Sequence, residues 1–274
     1  MRTTTKIVIG IILSIFVLFI GLIIGLSFIG ERFEPQPNPT FSENMRSMRV
    51  DSYKTIQLDL EPMQQEVCNV FLSGKLSLVP MNGDNESDNF SFPEESSDFF
   101  TVNSVNDTLF IKINQEKLHT KFGVTGNRKY PVSVSGLVFE LKTNHVDVIN
   151  NIDNIGIEIK DIKTDKIRIK SEGGVFIENC KADAVEPQMI NDSRFRDFLL
   201  KNSQVKKLNI DLDYMSNWRV ENCEIEEENL TGSRNDHHNQ LQNSKVKTIN
   251  WFPKNNDARL NLNLPGDTTR IVFP

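Results

Sequence analysis

Two stretches of this chain nearly coincide: LLKNSQVKKLN, from Leu199 to Asn209, and QLQNSKVKTIN, from Gln240 to Asn250. Aligned on Asn202 and Asn243, they share apolar residues at −2 (Leu200, Leu241), +3 (Val205, Val246) and +6 (Leu208, Ile249). The same offsets recur around Asn222, with Trp218, Val220 and Ile225, and around Asn179, with Val175, Ile177, Ala182 and Val185. They recur again around Asp161 and Thr143, the latter with Phe139, Leu141, Val146 and Ile149. Departures occur at Asn239, Glu228 and Pro187, where the template asks for apolar residues.

The reference positions Thr143, Asp161, Asn179, Asn202, Asn222 and Asn243 thus mark a repeat of roughly 20 residues, too short for a pair of helices. Its Φ-x-Φ pieces have the period of two that turns both apolar side chains to one side of a strand. One such unit cannot bury its own apolar face, so neighbouring units must stack and share a core. Asn tolerates the left-handed backbone of a tight corner, and stacked Asn amides can bond up a column. The expected architecture is all-β: a right-handed parallel β-helix-like solenoid over 137–274, including a C-terminal closure by RLNLNLPGDTTRIVF from Arg259. A leucine-rich horseshoe is the alternative, but its apolar residues fall at −3 and −5 from the Asn rather than at −2 and −4.

Composition agrees with a turn-rich β chain. Of 274 residues only Ala182, Ala184 and Ala258 are alanine, the best helix former. The net charge of −6 gives no basic stripe for phosphates, which argues against nucleic acid as a partner. Three cysteines, Cys68, Cys180 and Cys223, cannot all pair within one chain and form no CxxC. In the stack Cys180 and Cys223 stand two steps apart, about 9–10 Å, too far for a disulfide.

Residues 7–30 open with an unbroken uncharged run, Ile7–Ile29, long enough to span a bilayer. With Arg2 and Lys6 before it, the expectation is an uncleaved signal anchor in lipid, a cytoplasmic tail over 1–6, and a periplasmic or extracellular C-terminal domain. A cleaved signal peptide is the alternative. Gly10, Ser14, Gly21 and Gly25 share one helical face, the pattern of a close homodimer contact. Pro35, Pro37 and Pro39 make 31–49 an extended tether.

Residues 50–136 break the template. Strands are expected at Thr55–Leu60, Val67–Leu72, Lys75–Val79, Phe99–Asn103 and Thr108–Ile113, with a hairpin loop at Asn106-Asp107 and a long acidic loop between Met81 and Asp98. This region is read as an N-terminal antiparallel cap over the open end of the stack.

FFTVNSVNDTLFIKI (Phe99–Ile113), followed by YPVSVSGLVFELKTNHVDVIN (Tyr130–Asn150) and an array of short repeats, resembles the GIN-domain adhesin-head proteins of bacterial cell envelopes. The likeness spans roughly Thr55–Asn250. It implies a β-helical fold, an envelope location and no established catalytic site. Where that family commonly has Gly/Ser-rich corners, this chain has Asn-Ser and Asn-Cys.

Direct chemistry is sparse. His237-His238 lies in a polar loop, with Asp236 as its one obvious co-ligand. Asp211 and Asp213 face one way if extended, as calcium ligands or a glycosidase pair would, but only Tyr214 and Trp218 lie close by. Glu226-Glu227-Glu228 reads as a solvated edge. The N-x-S/T asparagines, Asn85, Asn89, Asn106, Asn191 and Asn229, are no more than chance supplies. No nucleophile elbow, phosphate loop or HExxH occurs. No catalytic, cofactor-binding or metal residue is assigned, and no cofactor is expected. The expected function is a non-catalytic envelope domain that presents a long surface to a glycan or protein; a β-helical polysaccharide lyase or hydrolase is the alternative.

Overall fold

The computed structural model describes residues 3–29, 38–61, 70–81, 89–123, 132–190, 197–215, 217–262 and 269–273. The chain divides into two compact units, Met1–Pro37 and Asn38–Pro274.

The first unit is a helix, Thr3–Ile29. Among the described residues no helix is long and apolar enough to cross a membrane. This overturns the expected single-pass anchor over 7–30, and with it the expected cytoplasmic tail and outward-facing domain. On the expected contact face, the Ser14 hydroxyl donates to the Gly10 carbonyl of its own helix at 2.9 Å.

The second unit is mostly β. From Val146 the chain alternates between two sheets, and successive strands in each sheet pair in parallel; His237–His238 and Leu260–Asn261 leave this scheme and pair with each other in a separate two-stranded parallel sheet. One sheet carries Ile155–Lys160, Val175–Glu178, Asp197–Lys201, Asn217–Glu221 and Leu241–Gln242 in spatial order. The other carries Val146–Asn150, Lys163–Ser171, Lys181–Met189, Gln204–Asp211, Glu224–Gly232 and Lys245–Pro253. The register matches the sequence template. Ile177 pairs with Leu200 and Leu200 with Val220. Ala182 pairs with Val205, Val205 with Ile225, and Ile225 with Val246. These side chains are buried between the sheets, because alternation sends every second residue inward.

The corners are where the spacing puts them. Asp161, Asn179, Asn202, Asn222 and Asn243 all have φ between 50° and 58°, the left-handed region that Asn and Asp tolerate best. A second bend follows each corner. Pairing skips Asp183, Lys206, Glu226 and Lys247, and the interval between buried residues there widens from two to three. That is the physical meaning of Φ-x-x-Φ in the template.

Thr143 departs from this scheme. It is not among the left-handed residues, and its hydroxyl accepts from the His145 backbone N–H at 3.0 Å. Val146 pairs with Ile167 rather than with Thr164, so this corner is out of step with the others. The cause is an inserted strand. Val70–Val79 lies in parallel between Val132–Lys142 and Ile155–Lys160, so the chain leaving Lys142 must step over it. Thr55–Glu61 is likewise inserted, in parallel, between Thr108–Asn114 and Val146–Asn150.

The expected antiparallel cap is therefore corrected: much of 50–136 continues the parallel stacking. Among the described residues antiparallel pairing is confined to Met45–Arg49 with Asn89–Pro93, Asn89–Pro93 with Val132–Lys142, and Phe100–Val105 with Thr108–Asn114. The last is the expected hairpin, turning at Asn106 and Asp107 with positive φ. Met45–Arg49 falls inside the stretch read as tether. Within the same stretch Phe41 is buried and Pro39 accepts a backbone hydrogen bond from Ser135, so the tether reading fails there; Pro35 and Pro37 lie outside the described residues. The second half of the expected acidic loop is also ordered, as Asn89–Pro93 and a 3-10 turn, Glu94–Phe99. Phe90, Phe92, Phe99 and Phe100 are buried there, with Phe92 and Phe100 edge to face at 4.8 Å. A short helix, Gln115–Phe122, starts at Asn114, whose side chain accepts from the Lys117 N–H.

Candidate functional site

The corners carry a hydrogen-bond ladder one residue beyond the expected one. The corner asparagines make a single amide link, Asn222 Nδ2 to Asn202 Oδ1 at 3.3 Å. The continuous ladder runs through Cys180, Ser203, Cys223 and Ser244. The backbone N–H of Cys180 donates to Ser203 Oγ at 3.0 Å, that of Ser203 to Cys223 Sγ at 3.4 Å, and that of Cys223 to Ser244 Oγ at 3.1 Å. Each side chain in turn donates to the carbonyl two residues earlier in its own strand. Cys180 and Cys223 are free and buried, as the spacing requires. Burial pushes both thiols up to about 11, which keeps them protonated and unreactive. Cys68 lies outside the described residues.

A trough of about 880 Å³ lies along the outer face of the second sheet. Two columns of side chains floor it, seven and nine residues after the corners from Asp161 onward, with Asp147 and Ile149 joining them through pairing with Arg168 and Lys170. The first column runs Asp147, Arg168, Glu186, Asn209, Asn229 and, beyond the trough lining, Asn250. Arg168 Nη1 donates to Asp147 Oδ2 at 3.1 Å, and Asn209 Nδ2 to Glu186 Oε1 at 3.4 Å. Asn229 Nδ2 donates to Asn209 Oδ1 at 2.8 Å, and Asn250 Nδ2 to Asn229 Oδ1 at 2.7 Å. The second column runs Ile149, Lys170, Gln188, Asp211, Thr231 and Phe252. The period of two along each strand turns both columns outward while Ile169, Pro187, Ile210 and Leu230 point toward the core.

Asp211 and Asp213, one candidate pair, meet one candidate histidine at the end of this face. Asp211 caps the 3-10 turn Leu212–Tyr214 by accepting from the Asp213 N–H. Lys254, at the end of the last long strand, reaches back to both carboxylates, at 2.7 Å from each Asp211 oxygen and 2.8 Å from Asp213 Oδ2. Asp213 Oδ1 also accepts from the Ser233 N–H and hydroxyl, at 2.8 and 2.9 Å. Burial works against the Asp213 charge, yet the bonds from Lys254 and Ser233 outweigh it and hold the carboxyl well below the usual range. For Lys254 the same balance works the other way: burial lowers its affinity for the proton, and the two carboxylates more than restore it. His237 is buried, with Nε2 at 3.2 Å from both Asp213 Oδ1 and the Arg234 backbone nitrogen. Burial first, then Arg234, lowers its pKa. A Cβ at Gly232 would collide with the His237 ring, which accounts for glycine there.

This cluster does not assemble the chemistry its residue types could supply. The acid of a glycosidase pair must keep its proton near neutral pH, and Asp213 loses its proton far below that. Lys254 occupies the space between the carboxylates that a cation would need. Ser233 and His237 both contact the same Asp213 oxygen, whereas a nucleophilic serine must bond to its base. Among the described residues no group of His, Cys, Asp and Glu forms a metal-binding cluster.

Glu226 and Glu227 are exposed or half-buried, as expected of an edge, but Glu228 is not. It stands in the core in register between Leu208 and Ile249, fully buried, with neither oxygen hydrogen-bonded. Burial pushes its pKa up to about 8. His238 is exposed; Asn85 and Asn191 lie outside the described residues. Sequence reasoning passed over Lys254, Ser233, Gly232 and the outer asparagines. A signal for the last was present, since both opening stretches end in Asn, at 209 and 250.

No family model and no curated protein matches this chain, so the GIN-domain resemblance has no family match behind it. Solved structures do match. A "putative adhesin" from Parabacteroides distasonis ATCC 8503 is 8% identical, with a TM-score of 0.42, over 86% of this chain and 99% of its own. A "putative adhesin" from Parabacteroides merdae ATCC 43184 is 8% identical, with a TM-score of 0.35, over 86% of this chain and 100% of its own. A "putative lipid binding protein" from Parabacteroides distasonis ATCC 8503 is 8% identical, with a TM-score of 0.32, over 85% of this chain and 99% of its own.

Proposed function

We propose that this chain is a non-catalytic adhesion or scaffolding protein, whose stacked strands are the turns of a right-handed parallel β-helix presenting one long outer face to a ligand. The observation that carries the reading is the bonding of the polar groups. The acidic and basic side chains best placed for chemistry are tied to one another: Lys254 to Asp211 and Asp213, and Arg168 to Asp147. Groups engaged in this way hold a surface in a fixed shape, and they are poorly placed to move protons. An extended surface built from columns of side chains suits recognition of an extended partner.

The test uses the full chain on beads, incubated with intact bacterial and host cells and, separately, with soluble polysaccharides. Retention of beads on at least one cell surface, with no new reducing ends or unsaturated products released, is the expected result. Release of such products would overturn the reading in favour of a polysaccharide-cleaving enzyme. Failure to adhere to any surface would overturn it as well.

A further inference from the structure

We infer that the trough on the outer face of the second sheet is a binding site for an uncharged, hydroxyl-rich polysaccharide chain lying along the columns, across the strands. The inference rests on the adhesion reading and names its ligand class.

Most charge in the trough is already paired, Lys170 being the exception among the charged side chains of its lining. Arg168 bonds to Asp147 and lies 3.7 Å from Glu186, and Glu186 also takes Lys166 at 2.7 Å. Lys254 takes Asp211 at 2.7 Å. A polycation would have to break these pairs to gain one of its own, and a polyanion finds Lys170 alone without breaking one, while a neutral chain has no such cost.

The hydrogen-bonding groups match hydroxyls in kind. A side-chain amide has two N–H donors and two lone pairs on its oxygen. The ladder from Asn250 through Asn229 to Asn209 spends one N–H of each donor and one lone pair of each acceptor along the column. The second N–H and the second lone pair remain for a ligand. In the next column Gln188 adds an amide that both donates and accepts, and Thr231, whose hydroxyl donates to the Ile210 carbonyl at 3.4 Å, adds an acceptor. A sugar hydroxyl likewise does both. The ladder fixes the amide orientations beforehand, so a ligand orders few side chains on binding.

An apolar platform stands at one end of the same face. Phe252 is 39% exposed in the column that holds Asp211 and Thr231. Rings of this kind cover the C–H face of a sugar while the amides bind its edge, the mixture of apolar wall and few fixed polar groups typical of small-molecule sites. The trough is open along its length and so takes the middle of a chain.

The experiment is affinity electrophoresis of the full chain through gels containing dextran, xylan or laminarin, with heparin and polygalacturonate as charged comparisons. At least one neutral polymer should retard the protein, equally at low and high salt. Phe252→Ala and Gln188→Trp, both at exposed positions, should weaken that retardation about tenfold, or roughly 1.4 kcal/mol, with unchanged thermal unfolding. Three results would overturn the inference: no retardation by any neutral polymer, retardation only by polyanions that salt abolishes, or undiminished retardation of Gln188→Trp. If Gln188→Trp beads also adhere to cells as well as the parent chain, adhesion stands and the trough is not its site.

Discussion

Asn229 donates its side-chain N–H to Oδ1 of Asn209 across 2.8 Å, although 20 residues separate them in the chain. It accepts in turn from Asn250 at 2.7 Å. The middle amide thus belongs to two bonds, each strengthened by the other's polarisation. Asn229→Ala should remove both and leave half-buried partners short of a bond, at a cost of about 1–2 kcal/mol. Urea denaturation of the variant against the parent chain measures this, and an unchanged midpoint would show that the ladder contributes nothing.

Glu228 gives the protein a distinctive pH response. Its carboxyl is ordinary in the unfolded chain, near 4.5, and about 8 when folded. Between those values the unfolded chain has lost a proton that the folded one keeps, so stability falls as pH rises, by up to about 1.4 kcal/mol per unit. Below the window both states are protonated, and above it both are ionised. Glu228→Leu supplies the residue type found at Leu208 in the same column, so it should abolish the slope and stabilise the protein most at the alkaline end. Denaturant midpoints at several pH values across the window test it; parallel curves for parent and variant would refute the buried, unpaired carboxyl.

The corner at Asn179, with φ of 55°, distinguishes residues by backbone alone. Asn179→Gly should be near neutral, because glycine enters the left-handed region without strain. Asn179→Val should cost about 1–2 kcal/mol, because a β-branched side chain there crowds the following carbonyl. Thermal unfolding of the two variants should rank them in that order.

Cys223 and the serines of its column are interchangeable by geometry. Ser203 and Ser244 make the same pair of contacts in the flanking strands. Cys223→Ser should therefore fold with a stability within about 1 kcal/mol of the parent, whereas Cys223→Ala leaves the Ser203 N–H without its acceptor and should lose about 1–2 kcal/mol. In a Cys68→Ser background, a thiol reagent at neutral pH should label neither Cys180 nor Cys223 until denaturant is added. Rapid labelling of the native chain would contradict their burial.

What could be read from the residues follows how local the physics is. The five corners from Asp161 to Asn243 were legible because a left-handed corner accepts few residue types and the flanking Φ-x-Φ pairs repeat at fixed offsets. The wider gap between apolar positions at +3 and +6 was present in the sequence, but only the skipped pairing at Asp183 and Lys206 shows it to be a bend. Thr143 matched the template yet turns differently, because what decides its corner is Val70–Val79, a strand from far earlier in the chain. Glu228 read as a solvated charge because it follows Glu226 and Glu227, although its offset of +6 from Asn222 already set it in the column of Leu208 and Ile249; the template gives the position, and only the structure shows that the charge does not displace it from the core. Lys254 lies 41 and 43 residues from its aspartates, beyond the reach of any motif. The apolar N-terminal run reads as a span by length alone, whereas among the described residues no helix is long and apolar enough to cross a membrane.

The intercalated strand Val70–Val79 bears on the order of folding. Its Lys75 pairs with Gly156 and its Leu76 with Phe139, both on strands that come much later in the chain. The later strands cannot complete one another here; they meet only across this earlier segment. Assembly of this end must therefore wait until two distant partners have been made and brought to either flank, a high contact order that slows folding. A fragment beginning at residue 137 would keep the regular array but expose the unpaired edges of Ile155–Lys160 and Val146–Asn150, apolar on their buried faces, and would be prone to self-association.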